Sequence, residues 1–403
     1  MLRISTFSTA IATASNQPGL RHWLAALLLA FITMSGLSYI NFLPALVSAL
    51  AGEIGFSEVQ AGQIVALNGY GALCGSSLAI FLVRNIRYRP VLMTALLLLA
   101  SMDIATLWLD DFLLLLGWRF LAGLAGGLAL GLGVALLARH PYPDRAFGAL
   151  LFVQFSVGSL VIYLLPTLEA MLSAHAVFYV MASFAVLSLV FVCLLPTGRL
   201  LAVPAQAPGA SLGSDRRSAV ITVLLLLAAM LVYQIAASAI WAYAALIGTA
   251  AGIANETVST TIAVTGMLGL LGALLPMMLG NRYGRLPWLI AGCVLSISAA
   301  VLLTFSGQGP YYTLALALLF FSWPAVQSFL LAATAVLDST GRLATIAAVV
   351  SSIGLATGPL LASALITEGN FSQMLQVGAS LFVVSLLLLY KPILWSGQHA
   401  KEA

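Results

Sequence analysis

Long apolar stretches alternate with short polar gaps along the whole chain, and the stretches number twelve. They cover 22–51, 58–83, 90–109, 112–138, 146–168 and 171–196, then 218–248, 256–280, 286–306, 310–337, 342–367 and 371–394. Each is of the length that a helix needs to cross a bilayer, about 20 mostly apolar residues. A strand of a membrane barrel would instead alternate apolar and polar positions over about 10 residues. These runs are apolar on all faces, so the pattern predicts an all-α membrane protein of twelve transmembrane helices.

Charge orients the runs. Fifteen of the sixteen Lys and Arg residues lie before run 1 (Arg3, Arg21), at the even-numbered gaps, or at and beyond the end of run 12 (Lys391, Lys401). The even gaps hold Arg84, Arg87 and Arg89, then Arg139 and Arg145, then Arg199, Arg216 and Arg217, then Arg282 and Arg285, then Arg342. The odd gaps hold none and carry acids instead, including Glu53, Glu58, Asp110, Asp111, Glu169, Glu256 and Glu368. Short basic loops stay in the cytoplasm, so both termini are expected inside. With 7% charged residues, 62% hydrophobic residues and a mean hydropathy of +1.09, the chain is far from the roughly 25% charge of a soluble domain. The net charge of +4 follows from the loop bias; it favours anionic inner-leaflet lipid and gives no reason to expect a nucleic acid partner.

Other chemistry is sparse. Cys74, Cys193 and Cys293 lie within runs 2, 6 and 9 without paired spacing, and are expected to be small packing residues. The four histidines are scattered, with no two at i, i+4; neither a metal site nor a cofactor is expected. No G-x-x-x-x-G-K-[ST] stretch exists to cradle a nucleotide. The first twenty residues lack a compact apolar core and read as a tail rather than a cleaved signal.

The longest polar stretch, 197–217, is rich in Pro, Gly and Ser and reads as a flexible linker. The expected organisation is a cytoplasmic tail (1–21), a six-helix bundle (22–196), a cytoplasmic linker (197–217), a second six-helix bundle (218–394) and a short tail (395–403). The halves echo one another. In each, the gap after the second run is short, basic and leads into a proline: Arg84-Asn-Ile-Arg-Tyr-Arg-Pro90 and Asn281-Arg-Tyr-Gly-Arg-Leu-Pro287. Two related six-span halves are a layout of secondary transporters.

The loop Leu279-Gly280-Asn281-Arg282-Tyr283-Gly284-Arg285 resembles the signature G-x-L-a-D-R-x-G-R of the major facilitator superfamily. Asn281 replaces the Asp, Met277 the leading Gly, and the first-half loop keeps Arg84 and Arg87 without the Asp or a Gly. Run 4 is similar to the family's R-x-x-q-G-x-g in Arg119-Phe-Leu-Ala-Gly123 onward, with Ala122 for Gln. The resemblance covers nearly the whole chain and implies two pseudo-symmetric six-helix bundles around a cavity lined by helices 1, 4, 7 and 10. It makes Asn281, Arg282, Gly284, Arg285, Arg84 and Arg87 loop or gating residues. Two features depart from it: the Asp that helps latch the halves is absent from both loops, and run 5 lacks the antiporter signature G-x-x-x-G-P-x-x-G-G. Run 11 carries Gly354-Leu-Ala-Thr-Gly358-Pro359 instead, either a packing contact between halves or a bend that moves.

Away from the ends of the runs, Asp103 and Arg119 are the only charges within them. Intramembrane charges are costly and usually paired or cavity-facing. Each lies eight residues from the turn at position 111, hence about 12 Å from it at 1.5 Å per residue and at similar depth. Asp103 is the candidate proton carrier. Arg119 is either a structural partner or an anchor for an anion, and shares a face with Gly123, Gly127 and Gly131, whose small side permits close packing. Candidate cavity residues fall at helical spacing: Ser35, Ser38, Tyr39 and Phe42 on run 1; Gln234, Ser238 and Trp241 on run 7; Trp323 and Gln327 on run 10. Gln154 and Tyr163 on run 5 and Gln63 and Asn68 on run 2 add to them. Aromatics with a few polar groups make a typical pocket for an organic ligand.

These features point to a monomeric, non-enzymatic secondary transporter of a small neutral or monoanionic organic solute, working by alternating access in a bacterial-type inner membrane with proton coupling. Its partners are that solute, protons or another ion, and lipid. The alternatives are a multidrug or toxic-compound efflux antiporter and, more remotely, a non-transporting receptor or scaffold. An embedded enzyme would need clustered His, carboxylate or Ser–His chemistry that the runs lack.

Overall fold

The computed structural model describes residues 20–52, 54–82, 87–138, 143–195, 216–279, 286–307, 309–337, 342–367 and 369–402. Among them the chain is helical and forms no strand. Helix α1 comes in three pieces, Leu20–Gly36, Ser38–Asn41 and Leu43–Ala51. It is followed by α2 (Glu58–Leu82), α3 (Tyr88–Ala105), α4 (Phe112–Ala138), α5 (Pro143–Met171) and α6 (Ala176–Leu194). The second half contains α7 (Arg216–Ala250), α8 in two pieces (Asn255–Gly266 and Leu268–Leu279), α9 (Leu286–Leu303), α10 (Gly309–Leu337), α11 (Arg342–Leu365) and α12 (Ser372–Glu402).

Ten of these helices are long and apolar enough to cross a membrane, and α1 contributes a shorter apolar segment. Helix α2 has the length, at 25 residues, but Gln60, Gln63, Asn68 and its glycines and serines dilute its hydropathy. The dilution is tolerable because α2 packs against α4 and α11 rather than facing lipid alone. Two expected helices prove discontinuous: run 1 breaks at Leu37 and Phe42 and run 8 at Met267. Helix α12 continues to Glu402, through most of the segment expected as the C-terminal tail. The α3–α4 hairpin turns through a short 3-10 segment, Thr106–Trp108. The Asp111 carboxylate then accepts from Leu114 N at 2.7 Å, satisfying a first-turn donor of α4.

Within each bundle the second and fourth helices approach through glycine. A methyl group on Gly71 of α2 would run into the Phe120 carbonyl of α4, and one on Gly272 of α8 into the Phe321 carbonyl of α10. Both members of the second pair lie 201 positions beyond the first, so one backbone plan is used twice. The expected small face of α4 packs as read: Gly123 lies against the Asn68 carbonyl, Gly127 against Ala72, and Gly131 against Ser76 and Ala79. Without an apolar driving force between helices in lipid, such close packing is what holds them together. Of the cysteines, only Cys293 is buried; Cys74 and Cys193 are exposed on the helix bundle surface rather than packed.

The two bundles meet through α2 with α11, α5 with α8, and α1 with α7. At the odd-gap face, the Tyr243 hydroxyl donates to the Glu58 carbonyl at 2.8 Å and Gly369 N donates to the Glu58 carboxylate at 3.2 Å. Deeper in, the Tyr70 and Thr357 hydroxyls pair at 2.9 Å. These contacts join the two bundles at and below that face.

Candidate functional site

A cavity of about 310 Å³ lies where the bundles meet. Its walls come from α1 (Leu37, Ile40, Asn41), α5 (Gln154, Phe155, Ser159), α7 (Trp241), α8 (Ile262, Gly266) and α10 (Phe320, Trp323), with Leu355 of α11. The break in α1 shapes one wall. Pro44 has no N–H, so the Ile40 carbonyl four residues earlier loses its helical donor. The Trp241 indole supplies one from the other bundle, donating to the Ile40 oxygen at 2.9 Å. Ile40 and Trp241 are themselves 201 positions apart, so this contact joins equivalent positions of the two bundles. The Trp241 ring then stands edge-on to Phe320, centroids 5.1 Å apart.

Three of the sequence candidates, Gln154, Trp241 and Trp323, line this cavity. The others sit behind it. Gln234 accepts the Trp323 indole N–H at 2.6 Å and so fixes that ring. Ser238 donates to the Gly354 carbonyl at 3.3 Å, and the Gln327 amide donates to the Ser351 hydroxyl at 3.0 Å. Phe42 is fully buried and packs on Phe184 at 5.9 Å. Ser38 and Tyr39 line a separate void of about 10 Å³ beside Ser35, Asn68 and Arg119. Tyr163 is exposed on the outside of the bundle. Ser35, Ser38 and Tyr39 do share a face, but it is turned to that small void; Leu37, Ile40 and Asn41, at i, i+3 and i+4 on another face of α1, line the cavity. Asn41 went unnoticed in the sequence, and Pro44 is the signal that could have found it.

Asp103 and Arg119 meet as their depths suggest. The guanidinium donates to the carboxylate at 2.6 Å, with side-chain exposures of 0% and 1%. Arg119 also stacks over Phe178, 5.4 Å from the ring centroid. One oxygen of Asp103 and one terminal nitrogen of Arg119 have no partner. Arg119 lines the small void, and neither member of the pair lines the cavity.

On α11, Gly354 and Gly358 pack against α7, around Leu231, Gln234, Ile235 and Ser238. The close packing is therefore within the second bundle. The contact between halves falls to the neighbouring positions Ala356, Pro359 and Ser363, which face Gly62 and Gly69 of α2. Of the loop residues, Arg84, Asn281, Arg282, Gly284 and Arg285 lie outside the described residues, as does most of the 197–217 linker. Arg87 is exposed and precedes α3. Arg89 donates to the Cys193 carbonyl at 2.6 Å, capping the end of α6. No group of His, Cys, Asp and Glu able to hold a metal occurs among the described residues.

Solved structures show the same architecture. The crystal structure of the peptide transporter POT in complex with sulfate superposes with a TM-score of 0.71 at 14% identity, covering 91% of this chain and 93% of that one. The nucleoside transporter NupG gives 0.70 at 13% identity, covering 92% and 98%. The D-xylose-proton symporter gives 0.68 at 15% identity, covering 92% and 97%. At these identities the likeness concerns the fold. No curated protein sequence matches. The model of the Major Facilitator Superfamily matches residues 26–337, and with that match spanning most of an all-helical, multi-pass membrane chain, the protein belongs to the Major Facilitator Superfamily of transporters.

Proposed function

We propose that this protein carries a small neutral or monoanionic organic solute through the central cavity by alternating access, coupled to protons. The observation that supports this most is the cavity itself: it lies between the bundles, has the size of a small organic ligand, and is walled by Trp241, Trp323, Phe155 and Phe320 without a charged side chain. In this reading the odd-gap face is periplasmic and the structure represents a state closed on that side. Both termini and the 197–217 linker are cytoplasmic in a bacterial-type inner membrane, following the basic loops. Asp103 is the proton carrier, since protonating it would release Arg119 from its partner.

Export of lipophilic compounds is the competing reading, favoured by the same apolar walls. Both make one demand: solute movement in ATP-free proteoliposomes driven by an imposed pH gradient. The sign of the gradient that concentrates solute separates uptake from export. Asp103→Asn is expected to retain downhill exchange and lose gradient-driven accumulation; accumulation at the wild-type level in Asp103→Asn would remove Asp103 from the coupling.

A further inference from the structure

We infer that the cavity selects a planar, uncharged ring with a carbonyl beside an N–H, a lactam-like edge, and that Asn41 donates to the carbonyl while Gln154 completes the contact. The inference rests on the reading that a solute passes through this cavity. Asn41 is 8% exposed and lines the cavity; its amide nitrogen is itself shut off from solvent and has no hydrogen-bond partner, so a half-turn of the amide is what would bring this donor to a solute. A buried donor left unmade costs free energy in the empty protein, so a solute with an acceptor at this point recovers what one without it cannot. Gln154 also lines the wall and makes no hydrogen bond among the described residues, leaving its amide free to turn either its oxygen or its nitrogen inward.

The ring follows from the tryptophans. Both indole N–H groups are already spent, on the Ile40 carbonyl and on Gln234. Trp241 and Trp323 therefore offer a solute aromatic surface and no donors, which suits a flat ring. The N–H follows from the prolines. Pro44, Pro166, Pro324 and Pro359 each deny a helical donor to the carbonyl four residues earlier, and those residues are Ile40, Ile162, Phe320 and Leu355, all of which line the cavity. Prolines 276 and 392 free Gly272 and Leu388, which do not. Trp241 satisfies Ile40, and the remaining three positions leave the wall rich in main-chain acceptor capacity. Neutrality follows from the absence of any Asp, Glu, Lys, Arg or His on the wall, with Arg119 and Asp103 turned to each other behind it. A polyhydroxylated solute would need more side-chain partners than Asn41, Gln154 and Ser159 supply.

Three probes separate the parts of this claim: 2-quinolone (ring, carbonyl and N–H), indole (ring and N–H without carbonyl) and 2-naphthoate (ring with charge). Each is titrated into protein in nanodiscs, reading saturable quenching of tryptophan fluorescence above that of empty nanodiscs. Wild type is expected to prefer 2-quinolone by about ten-fold or more, since a site built to hydrogen-bond discriminates strongly against a ligand lacking the group. Asn41→Leu is expected to erase the preference while leaving indole unchanged. Should Asn41→Leu fail to fold, Gln154→Leu carries the test, because it has no hydrogen bond to lose and is expected to weaken 2-quinolone in the same sense. Unchanged 2-quinolone affinity in the folded variant overturns the lactam edge and leaves the solute cavity standing. Absence of saturable binding by all three probes overturns the aromatic cavity as well.

Discussion

In the first bundle the buried polar contact between helices is ionic, Asp103 of α3 with Arg119 of α4. In the second it is a chain of hydroxyls: Tyr233 of α7 pairs with Ser296 of α9 at 2.7 Å, and Ser296 with Ser322 of α10 at 2.9 Å. The repeated backbone plan does not impose this difference. The position 201 beyond Arg119 is Phe320, which lines the cavity, and the one beyond Asp103 is Thr304, exposed near the end of α9. The hydroxyl chain has its needs met locally, since each serine can send its one proton either along the chain or to a carbonyl of its own helix, Gly292 for Ser296 and Leu319 for Ser322. The ion pair is conditional. Each partner has one unpartnered atom, and either charge alone would be stranded where water cannot reach it. A bundle held by hydroxyls is stable in one arrangement, whereas one held by a charge pair changes when a proton arrives. This asymmetry is why we propose the coupling role for the first bundle.

The largest expected effect comes from breaking the pair on one side. Arg119→Ala should destabilise the protein by about 3–5 kcal/mol, because Asp103 is left buried and unpaired. Adding Asp103→Ala should recover most of that loss if the arginine serves the carboxylate. A double variant that folds well but has lost transport assigns Arg119 a share in solute binding, and Arg119→Lys should then keep partial affinity without the fork geometry. Thermal unfolding of the purified variants reads the first part, and proteoliposome uptake the second. A well-expressed Arg119→Ala protein of wild-type stability and transport would leave the charge pair without a role.

A smaller effect is expected on the other side of the comparison. Tyr233→Phe keeps the ring against Phe382, 5.0 Å away, and leaves Ser296 its bonds to Gly292 and Ser322. The loss should be about 0.6 kcal/mol, the average for hydrogen bonds between membrane helices, with no sensitivity to pH. A penalty as large as that of Arg119→Ala would mean that the hydroxyl chain is as conditional as the pair.

The helical class and the membrane spans were legible because they depend on composition and counting, and so was the shared depth that makes the ion pair feasible, though not that the two faces meet. Asp103 and Arg119 flank one turn at equal depth, and depth survives whatever the helices do in detail. The cavity face of α1 was not legible by the same arithmetic. Spacing at i, i+3, i+4 and i+7 groups residues on one face without saying which face meets the cavity: Ser35, Ser38 and Tyr39 line the small void beside Arg119, and Leu37, Ile40 and Asn41 line the cavity. On α7 and α10 the candidates divide: Trp241 and Trp323 reach the cavity, while Gln234, Ser238 and Gln327 hold neighbouring helices in place. An amide on an apolar helix points to a partner without saying whether that partner is protein or solute.

The account depends most on the two bundles moving against each other around the cavity. Spin labels at positions 57 and 372, both exposed and next to the Glu58–Gly369 contact, measure the odd-gap face directly by double electron–electron resonance in proteoliposomes. Alternating access predicts a short distance matching the closed face together with a second, longer population whose share shifts on changing the pH. A single short distance at every pH, in protein shown to transport, would contradict it.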